Sequence, residues 1–546
     1  MKLRRSLTTI VLSACLLGAC AGGPVTPTPI PGVSVQPVTG LPAGTDGYPW
    51  WNDTVFYEIF VRSFYDSDGD GIGDFNGITA KLDYLKELGV TGLWLMPIHP
   101  SPSYHGYDVT DYYAVNPQYG TLDDFKRLLA EAHARGLRVI IDFVLNHTSD
   151  EHPWFVASRD PTSPYRTWYV WSKTNPDSHW RVAYSGFYYG YFGDGLPDLN
   201  YRNPAVTQEM QNVARFWLEE VAVDGLRLDA AKYLIEDGTL IQNSDSTHAW
   251  YREFRTFYRQ FKPDALTVAE VWDQVNPAAA GAYTQGDQLD LAFDFELAEA
   301  FLNSVRVGRA DQALQALAAD EEIFRPLQFA TFLANHDQSR AISQLRNQIE
   351  SAKTAATLLL TAPGVPFIYY GEEIGMTGVQ QEGDRQMRTP MQWTAEAQSG
   401  FTAARPWFSV NKDYAQGRNV ADQSADPNSL LAHYRALIRV RSQHAALRVG
   451  ETFLVKSDNP AVYALLRMSK GEAVLVVVNL STDPVSDYHL LLDSGPLVGA
   501  YLPAPLLGGR PFVSPAVNAQ GGFDAYQPLA ELPSYAGFII QLQPVR

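Results

Sequence analysis

The sequence predicts an α/β protein: a closed (β/α)8 barrel of the TIM type, with a domain inserted after strand 3 and a C-terminal antiparallel β-sandwich. Three observations predict this fold. Eight short apolar segments alternate with helical segments from residue 50 onward, one connection is much longer than the others, and strand-like segments follow about residue 430. A closed barrel would place its active site at the carboxyl ends of the strands. An open doubly wound sheet is the alternative, but no glycine-rich phosphate loop follows the first apolar segment.

The barrel strands are predicted from short apolar runs, and the helices between them from amphipathic runs. The strands are expected at 54–60, 91–98, 137–147, 224–231, 265–272, 289–296, 327–337 and 365–373. The clearest helices are expected at 78–89, 123–136 and 205–221. These segments predict a catalytic barrel over residues 50–146 and 203–425.

The longest connection, residues 147–202, follows the third strand and contains fourteen aromatic residues between Trp154 and Tyr201. We interpret it as an inserted domain B that overhangs the strand ends. Aromatic faces stack on the C–H faces of sugars, although such a cluster also forms the core of many small domains. Between residues 426 and 546, runs such as EAVLVVVNL and GFIIQLQ are separated by turns and predict the β-sandwich.

The N-terminus carries three basic residues followed by an apolar segment at 7–17, which is too short to span a bilayer. The segment ends in Leu-Gly-Ala-Cys20, which resembles a bacterial lipoprotein signal. That resemblance implies removal of residues 1–19 and attachment of lipid to the Cys20 thiol; an ordinary signal peptide is the alternative. Residues 20–49 predict a flexible tether. We therefore expect an extracytoplasmic protein that contacts the membrane or cell surface only through its anchor.

Composition limits the classes of partner. Of the 546 residues, 46% are hydrophobic and 19% charged, as expected for a globular protein with a large core. The formal net charge of −18 argues against nucleic acid, because an acidic surface repels phosphates. The only cysteine besides Cys20 is Cys15, inside the signal, so the mature chain is expected to have no disulfide. We expect a monomer.

Polar residues interrupt the predicted strands near their carboxyl ends. They are Asp142, Asn146 and His147 on strand three, Arg227 and Asp229 on strand four, Glu270 on strand five, and His336 and Asp337 on strand seven. A polar group in an apolar strand is costly unless it is paired or functional. Any single one could be a structural carboxylate, but several acids at one face of a barrel predict an active site.

The segments that carry these residues are DFVLNH, GLRLDAAKY, EVW and FLANHD. In this order they resemble the motifs of the α-amylase family of retaining glycoside hydrolases. LPDLN at 196–200, HGYDVTDYY at 105–113 and RTPMQW at 388–393 match further family segments. The resemblance covers residues 50 to about 546.

The resemblance implies a role for each matching position. Asp229 would be the nucleophile, Glu270 the acid/base and Asp337 a third carboxylate that stabilises the transition state. Arg227 would keep Asp229 ionised by lowering its pKa, while Glu270 must hold a proton near neutrality. Retaining cleavage needs the two carboxyl groups about 5–5.5 Å apart.

The resemblance also implies substrate contacts. Tyr107 would stack under the sugar at the cleavage site, and His147 and His336 would bond its hydroxyls. Lys232 would grip the leaving chain, and Tyr233 replaces the histidine that many α-amylases have there. That histidine's carbonyl commonly binds the family's interdomain calcium, so the substitution puts this second calcium site in doubt.

An acidic loop, DSDGDGIGD at 66–74, predicts a calcium site. Its carboxylates have the spacing of a calcium loop, and Ile72 can add its carbonyl; the candidate ligands are Asp66, Asp68, Asp70, Ile72 and Asp74. Residue 77 is glycine where an EF-hand needs glutamate, so the loop is not a true EF-hand. The alternative is a solvated acidic turn. The resemblance supports Ca²⁺, because oligo-1,6-glucosidase-like members carry a similar loop.

The activity implied by the resemblance is endo-hydrolysis of α-1,4-glucosidic bonds in starch and maltodextrins. An exo-acting α-glucosidase or oligo-1,6-glucosidase, or a transglycosylase of the trehalose synthase kind, is the alternative. In the exo-acting case, Asp108 and Arg388 would form a charged pair that holds the terminal sugar. A non-catalytic binding protein on this scaffold would lack some of the three carboxylates, all of which are present.

Overall fold

The computed structural model describes residues 44–545, and its main feature is a barrel of parallel strands. Cys20, the predicted signal peptide and the tether up to residue 43 lie outside the described residues. The first three barrel strands are β1 (Phe56–Ile59), β2 (Gly92–Leu95) and β3 (Arg138–Phe143), and the insert supplies β4 (Trp171–Ser172), β5 (Trp180–Ala183) and β6 (Gly186–Tyr189). The barrel continues with β7 (Gly225–Leu228), β8 (Leu266–Ala269), β9 (Leu291–Ala292), β10 (Ala330–Thr331) and β11 (Val365–Tyr369).

The predicted eight-stranded barrel is confirmed. The strand order is β10-β11-β1-β2-β3-β7-β8-β9, and all neighbours are parallel. A parallel bridge between Phe293 and Ala330 joins the two ends of this order. Each strand is shorter than its apolar run, because the residues near the carboxyl ends turn out of the sheet toward the site.

Large side chains fill the barrel interior. Phe56 of β1 stacks on Phe367 of β11 with ring centroids 4.5 Å apart, and Trp94 and Phe293 lie against the same cluster. Gly92 makes this possible, since a Cβ there would lie 2.5 Å from the Phe56 ring. The barrel is therefore a packed core, closed except at its ends.

The helices surround the barrel and join its strands. They are α1 (Val61–Phe64), α2 (Phe75–Leu88), α3 (Leu122–Ala134), α4 (Pro153–Ser158), α5 (Pro204–Arg215), α6 (Asp245–Tyr258), α7 (Ala279–Ala282), α8 (Phe295–Val307), α9 (Asp311–Ile323), α10 (Ala341–Gln344), α11 (Ile349–Thr361), α12 (Asp384–Met387), α13 (Val420–Ala425), α14 (Leu430–Gln443) and α15 (Ala445–Val449). The helix expected at 78–89 begins earlier, because the Asp74 carboxylate caps it by accepting from the Gly77 amide. No helix among the described residues is both long and apolar enough to cross a membrane.

The insert is a small three-stranded sheet in the order β4-β6-β5. Phe155, Trp171 and Tyr188 pack together on one face of this sheet. A bridge between His147 and Asp198 ties the two ends of the insert together next to β3. This geometry holds the insert over the carboxyl ends of the barrel strands.

The C-terminal region forms two antiparallel sheets, as the strand-like runs predict. One contains β12 (Glu451–Leu454), β14 (Val462–Ser469), β15 (Glu472–Asn479), β17 (Tyr501–Leu507) and β19 (Gly537–Pro544), and the other β13 (Lys456–Ser457), β16 (Leu490–Leu492) and β18 (Phe523–Tyr526). A separate hydrophobic cluster lies in this region. Because α14 packs on α2 and α11 of the barrel, we propose that the C-terminal domain begins near residue 450.

Candidate active site

A cleft of about 420 Å³ lies at the carboxyl ends of the barrel strands, beneath the insert. It is lined by His105, Tyr107, His147, Phe192, Leu196, Asp229, Ala230, Lys232, Tyr233, Glu270, Trp272, Asp337, Asp384 and Arg388. A larger cavity, about 870 Å³, contains Arg138 and Asp290 at the amino ends of strands, far from these carboxylates. The cleft therefore holds the predicted catalytic residues, and the larger cavity does not.

One buried guanidinium connects the carboxylates at the base of the cleft. Arg227, at 0% exposure, donates to Asp142 at 2.8 Å, to Asp229 at 2.8 Å and to Glu270 at 2.9 Å. Burial alone would lower the pKa of Arg227, but the charges of Asp142, Tyr107, Glu270 and Asp229 raise it well above its usual value. Arg227 is thus a fixed positive charge between Asp229 and Glu270.

The expected lowering of the pKa of Asp229 needs a correction. Burial raises the pKa of the Asp229 carboxyl well above its usual value, and Arg227 only opposes that rise. The sequence shows the adjacent cation, but it does not show that the carboxyl is buried or that Glu270 and Asp142 share the same cation. Arg227 therefore limits how far burial raises the pKa of Asp229.

The turn after Asp229 is strained in a way that positions Glu270. Ala230 has a φ of 48°, a left-handed conformation that is uncommon for alanine. In this conformation its amide donates to the Glu270 carboxylate at 3.0 Å. The nucleophile candidate and the acid/base candidate are thereby held through both a side chain and a backbone group.

His336 lies behind the cleft wall, between two carboxylates. Its Nδ1 contacts Glu58 at 2.5 Å, and its Nε2 contacts the Tyr107 hydroxyl at 2.6 Å and Asp337 at 3.2 Å. Burial alone would lower the pKa of His336, but Asp337 and Glu58 raise it to about 9. Both ring nitrogens are engaged, so a bond from His336 to a sugar hydroxyl would require one of these contacts to be exchanged.

Asp337 is held ionised by its neighbours. Burial alone would raise the pKa of Asp337, but the charges of His336, Arg388 and Arg227 lower it. Its side chain is 40% exposed, and Arg388 donates to it at 2.8 Å. A carboxylate of this kind can stabilise positive charge that develops on a sugar ring.

Tyr107 and His147 have the geometry of sugar contacts. The Tyr107 ring lines the cleft, and its hydroxyl donates to Asp142 at 3.1 Å. Burial lowers the pKa of His147 to about 3, so its ring is neutral at pH 7. The buried Nε2 of His147 has no protein partner within the described part of the chain, which leaves it available to a ligand.

Lys232 and Tyr233 lie on one side of the cleft, next to the insert. The Lys232 Nζ is 3.7 Å from Asp273 and 4.9 Å from the centroid of the Tyr233 ring. Burial lowers the pKa of Lys232, and Asp273 opposes that effect. Tyr233 stacks on Tyr191 of the insert with ring centroids 4.4 Å apart, so this wall of the cleft is aromatic.

The charged pair between Asp108 and Arg388, which belongs to the exo-acting alternative, is not formed in the described structure. Arg388 binds Asp337 and the carbonyl of His336 instead. The Asp108 carboxylate accepts from the hydroxyls of Ser101 and Ser103, which are close in sequence. Sequence spacing cannot show which of the two carboxylates Arg388 contacts.

The acidic loop brings three of its predicted ligands together. Asp66, Asp68 and Asp74 each place one carboxylate oxygen within 4.8 Å of the others, a donor set that fits Ca²⁺. Asp70 is not part of that group, and its carboxylate accepts from the amide of Ile72 at 2.7 Å. Within residues 44–545 no other three acidic, histidine or cysteine side chains bring their ligand atoms within 4.8 Å of one another.

Sequence reasoning missed several residues of this site. Glu58 lies in the middle of the apolar segment TVFYEIF, and that interruption is the same signal that identified Asp142. Trp272, which is 37% exposed and stacks on Phe295 at 5.1 Å, follows Glu270 by two residues. Phe192 comes from the insert, which the sequence places over the strand ends without showing which of its aromatic side chains reach the cleft.

Comparison with known proteins is consistent with this geometry. A family model described as "Alpha amylase, catalytic domain" matches residues 58–450. Alpha-amylase 3 of Dictyoglomus thermophilum is 40% identical over 444 residues, covering 79% of this chain and 86% of the relative. Trehalose synthase/amylase TreS of Mycolicibacterium smegmatis is 39% identical over 519 residues, covering 81% and 86%. The crystal structure of alpha-amylase from H.orenii superposes with a TM-score of 0.77 at 38% identity, covering 90% of this chain and 99% of that one.

Proposed function

The chain belongs to the α-amylase family of glycoside hydrolases, and from this premise we propose that it hydrolyses α-1,4-glucosidic bonds within starch and maltodextrins, with retention. The observation that carries the proposal is the single Arg227 guanidinium that contacts both Asp229 and Glu270. Groups held by one guanidinium are close enough for the double displacement of retaining enzymes, which needs about 5–5.5 Å between carboxyls.

In the first step, an oxygen of Asp229 attacks the anomeric carbon while Glu270 gives its proton to the leaving oxygen. The bond to the leaving sugar breaks, and a glycosyl ester with Asp229 forms. In the second step, Glu270 takes a proton from water, the water oxygen attacks the anomeric carbon, and the ester bond breaks. The ionised Asp337 would stabilise the positive charge on the ring in both transition states.

The endo mode is supported by the two walls of the cleft. The charged pair that would close the non-reducing side is not formed, because Arg388 binds Asp337. On the other side, Lys232 and Tyr233 face the space that the leaving chain would occupy. We therefore expect soluble starch to lose iodine staining early, with release of maltose and longer oligosaccharides, and isomaltose to be a poor substrate.

A second candidate is transglycosylation of the trehalose synthase kind, favoured by the 39% identity to a trehalose synthase/amylase. An exo-acting α-glucosidase or oligo-1,6-glucosidase activity is the other alternative. Glucose as the sole early product, with lasting iodine colour, would favour the exo mode. Trehalose formed from maltose would favour the transglycosylase.

The catalytic assignment is tested with Asp229→Asn. Loss of the covalent step predicts a fall in kcat of about 10⁴-fold or more on maltoheptaose, with the melting temperature retained. Asp194→Asn, an exposed carboxylate of the insert, is the control and should keep the parent rate. Mass spectrometry of Glu270→Gln incubated with an activated glucoside should detect a glycosyl adduct on the peptide containing Asp229. A near-parent rate for Asp229→Asn would refute the assignment.

The proposal also includes a calcium site in the loop at 66–74 and a lipid anchor at the N-terminus. Asp66, Asp68 and Asp74 would bind a structural Ca²⁺, which supplies charge balance to the loop and no chemistry to the cleft. The lipoprotein-like Cys20 supports an enzyme anchored outside the cytoplasmic membrane, where polymeric glucans are available.

A further inference from the structure

The cavity of about 870 Å³ at the amino ends of the barrel strands lies on the face opposite the cleft. We call it the basal cavity, and its charged lining residues are Arg138, Arg255, Arg259, Asp264, Asp290 and Arg325. Four guanidiniums thus face two carboxylates, in a chain whose formal net charge is −18. The volume is in the range of sites that bind small molecules. A local excess of positive charge in a cavity of this size favours an anionic ligand.

Two of the arginines share one buried carboxylate. Arg255, in the last turn of α6, and Arg259, just after it, contact the same oxygen of Asp290 at 2.8 Å and 2.5 Å. The other Asp290 oxygen accepts from the amide and the hydroxyl of Thr267, each at 2.9 Å. One negative charge therefore balances two positive charges, which repel each other at this i, i+4 spacing. A second anion beside Asp290 would relieve that repulsion.

The guanidiniums keep donors that no protein group uses. Arg255 makes its side-chain bonds through Nη1 alone, so its Nε and Nη2 have no partner within residues 44–545. Arg325 is exposed, and it forms no ion pair and no side-chain hydrogen bond with the described part of the chain. Gly286 makes room for this side chain, since a Cβ there would lie 2.1 Å from Arg325 Nη1. Donors without a protein partner therefore belong both to α6 and to the segment before β10.

Arg138, in contrast, is held by an aromatic ring and by two carboxylates. Its guanidinium lies 4.1 Å from the centroid of the Trp50 ring and contacts Asp224 at 3.3 Å and Asp264 at 3.7 Å. The Trp50 Nε1 donates to the carbonyl of Asp264 at 2.8 Å, which fixes the ring against the same segment. Arg138 is therefore neutralised, and the charge that remains for a ligand comes from the other three guanidiniums.

We propose that the basal cavity binds a small oxyanion of the phosphate class through Arg255, Arg259 and Arg325. A guanidinium is planar and pairs with phosphate through two parallel N–H groups. A tetrahedral phosphate accepts from donors on several walls at once, whereas a carboxylate offers two oxygens in one plane.

Two sources supply this chemistry: free inorganic phosphate, and the phosphodiester headgroup of a lipid in the membrane to which Cys20 would anchor the chain. Residues 47–51, near the beginning of the described chain, line the cavity, so the cavity lies close to the end of the tether. The two sources differ in chemistry, since inorganic phosphate is a monoester-like dianion near neutral pH and the headgroup is a singly charged diester.

The test is isothermal titration calorimetry of the full chain with inorganic phosphate, with glycerophosphoglycerol and with acetate, at constant ionic strength and without calcium. We expect the parent to bind at least one of the two phosphate probes and to bind acetate more weakly. Arg325→Gln should raise the Kd roughly 5-fold or more, because a charged donor to the anion is lost. The fold should survive, since Arg325 has no partner among the described side chains, and Arg255→Gln should change the Kd in the same direction. Arg439→Gln is the matched control, because Arg439 is an exposed residue of α14 that does not line the cavity.

The two phosphate probes distinguish the sources. Tighter binding of inorganic phosphate supports a free anion as the ligand, and tighter binding of glycerophosphoglycerol supports a lipid headgroup. The proposal is overturned if the parent binds neither probe at millimolar concentration, or if Arg325→Gln and Arg255→Gln both bind as tightly as the parent. Acetate bound as tightly as phosphate would overturn the assignment to the phosphate class. None of these outcomes depends on the hydrolysis of a glucan, so the proposed function and this inference are tested separately.

Discussion

Replacing Glu58 with glutamine tests how the barrel interior sets the charge of the active site. His336 lies between Glu58 at 2.5 Å and Asp337 at 3.2 Å, and its pKa is raised to about 9. Glutamine keeps the size of the side chain and can still accept from Nδ1, but it removes one of the two negative charges. A carboxylate at this distance shifts a neighbouring pKa by about 1–3 units, so we expect the pKa of His336 to fall by about 1–2 units.

The sign of the stability effect follows from linkage. A histidine whose pKa is raised in the folded state contributes stability that is fully present below its ordinary value of 6.5 and is lost as pH rises through about 9. In Glu58→Gln that loss should be complete about 1–2 pH units lower. Because one unit corresponds to about 1.4 kcal/mol, the variant should lack roughly 1.4–2.8 kcal/mol of this contribution below pH 6.5, and the difference from the parent should vanish above about pH 9.

The assay is the melting temperature and kcat/KM of parent and variant between pH 5 and 10. The alkaline limb of both profiles should move to lower pH, since His336 of the variant loses its proton, and with it its ion pair with Asp337, at a lower pH. Glu373→Gln is the matched control: Glu373 is equally buried but accepts from the hydroxyls of Tyr57 and Tyr84 and has no histidine partner. Superimposable alkaline limbs for Glu58→Gln and the parent would refute the reasoning.

Two further predictions concern stability away from the cleft. Calcium should raise the melting temperature of the parent but not of Asp68→Ala/Asp70→Ala, because metal that binds only the folded loop stabilises it; equal melting curves with and without chelator would contradict a structural metal. Asp320 is buried beside Asp294, and burial followed by the Asp294 charge raises its pKa to about 10. The stability that its protonated form contributes is fully present below pH 3.8 and is lost as pH rises through about 10. Asp320→Asn removes this titration, so it should flatten the decline in melting temperature between pH 7 and 10. An unchanged slope would argue against that pair.

The sequence predicts the barrel well because each strand is an apolar run, and several of these runs carry a polar residue near the carboxyl end. Asp142, Arg227 and Glu270 are recognisable since a polar residue in such a run needs a reason. The sequence does not predict which side chains such polar residues contact. Arg388 contacts Asp337 and not Asp108, and residue spacing carries no information about which of the two carboxylates the fold brings to the guanidinium.

Burial is the other quantity that the sequence does not supply. The sequence correctly predicts that the adjacent Arg227 lowers the pKa of Asp229. The larger, opposite effect of burial depends on the insert and on the surrounding strands, which the sequence does not show.

The contact of Arg227 with both carboxyls also explains how both chemical steps can proceed without a change in the net charge of the site. In the proposed first step Asp229 would lose its negative charge to the ester, and Glu270 would gain one by giving up its proton. Both carboxyls contact Arg227, Asp229 at 2.8 Å and Glu270 at 2.9 Å. The negative charge therefore moves from the carboxyl beside one guanidinium nitrogen to the carboxyl beside the other, and the total charge around Arg227 stays constant. A change in net buried charge would carry a large desolvation cost, which this arrangement avoids. Asp142 holds the third contact throughout, so Arg227 does not need to move between the steps and the site remains organised for both transition states.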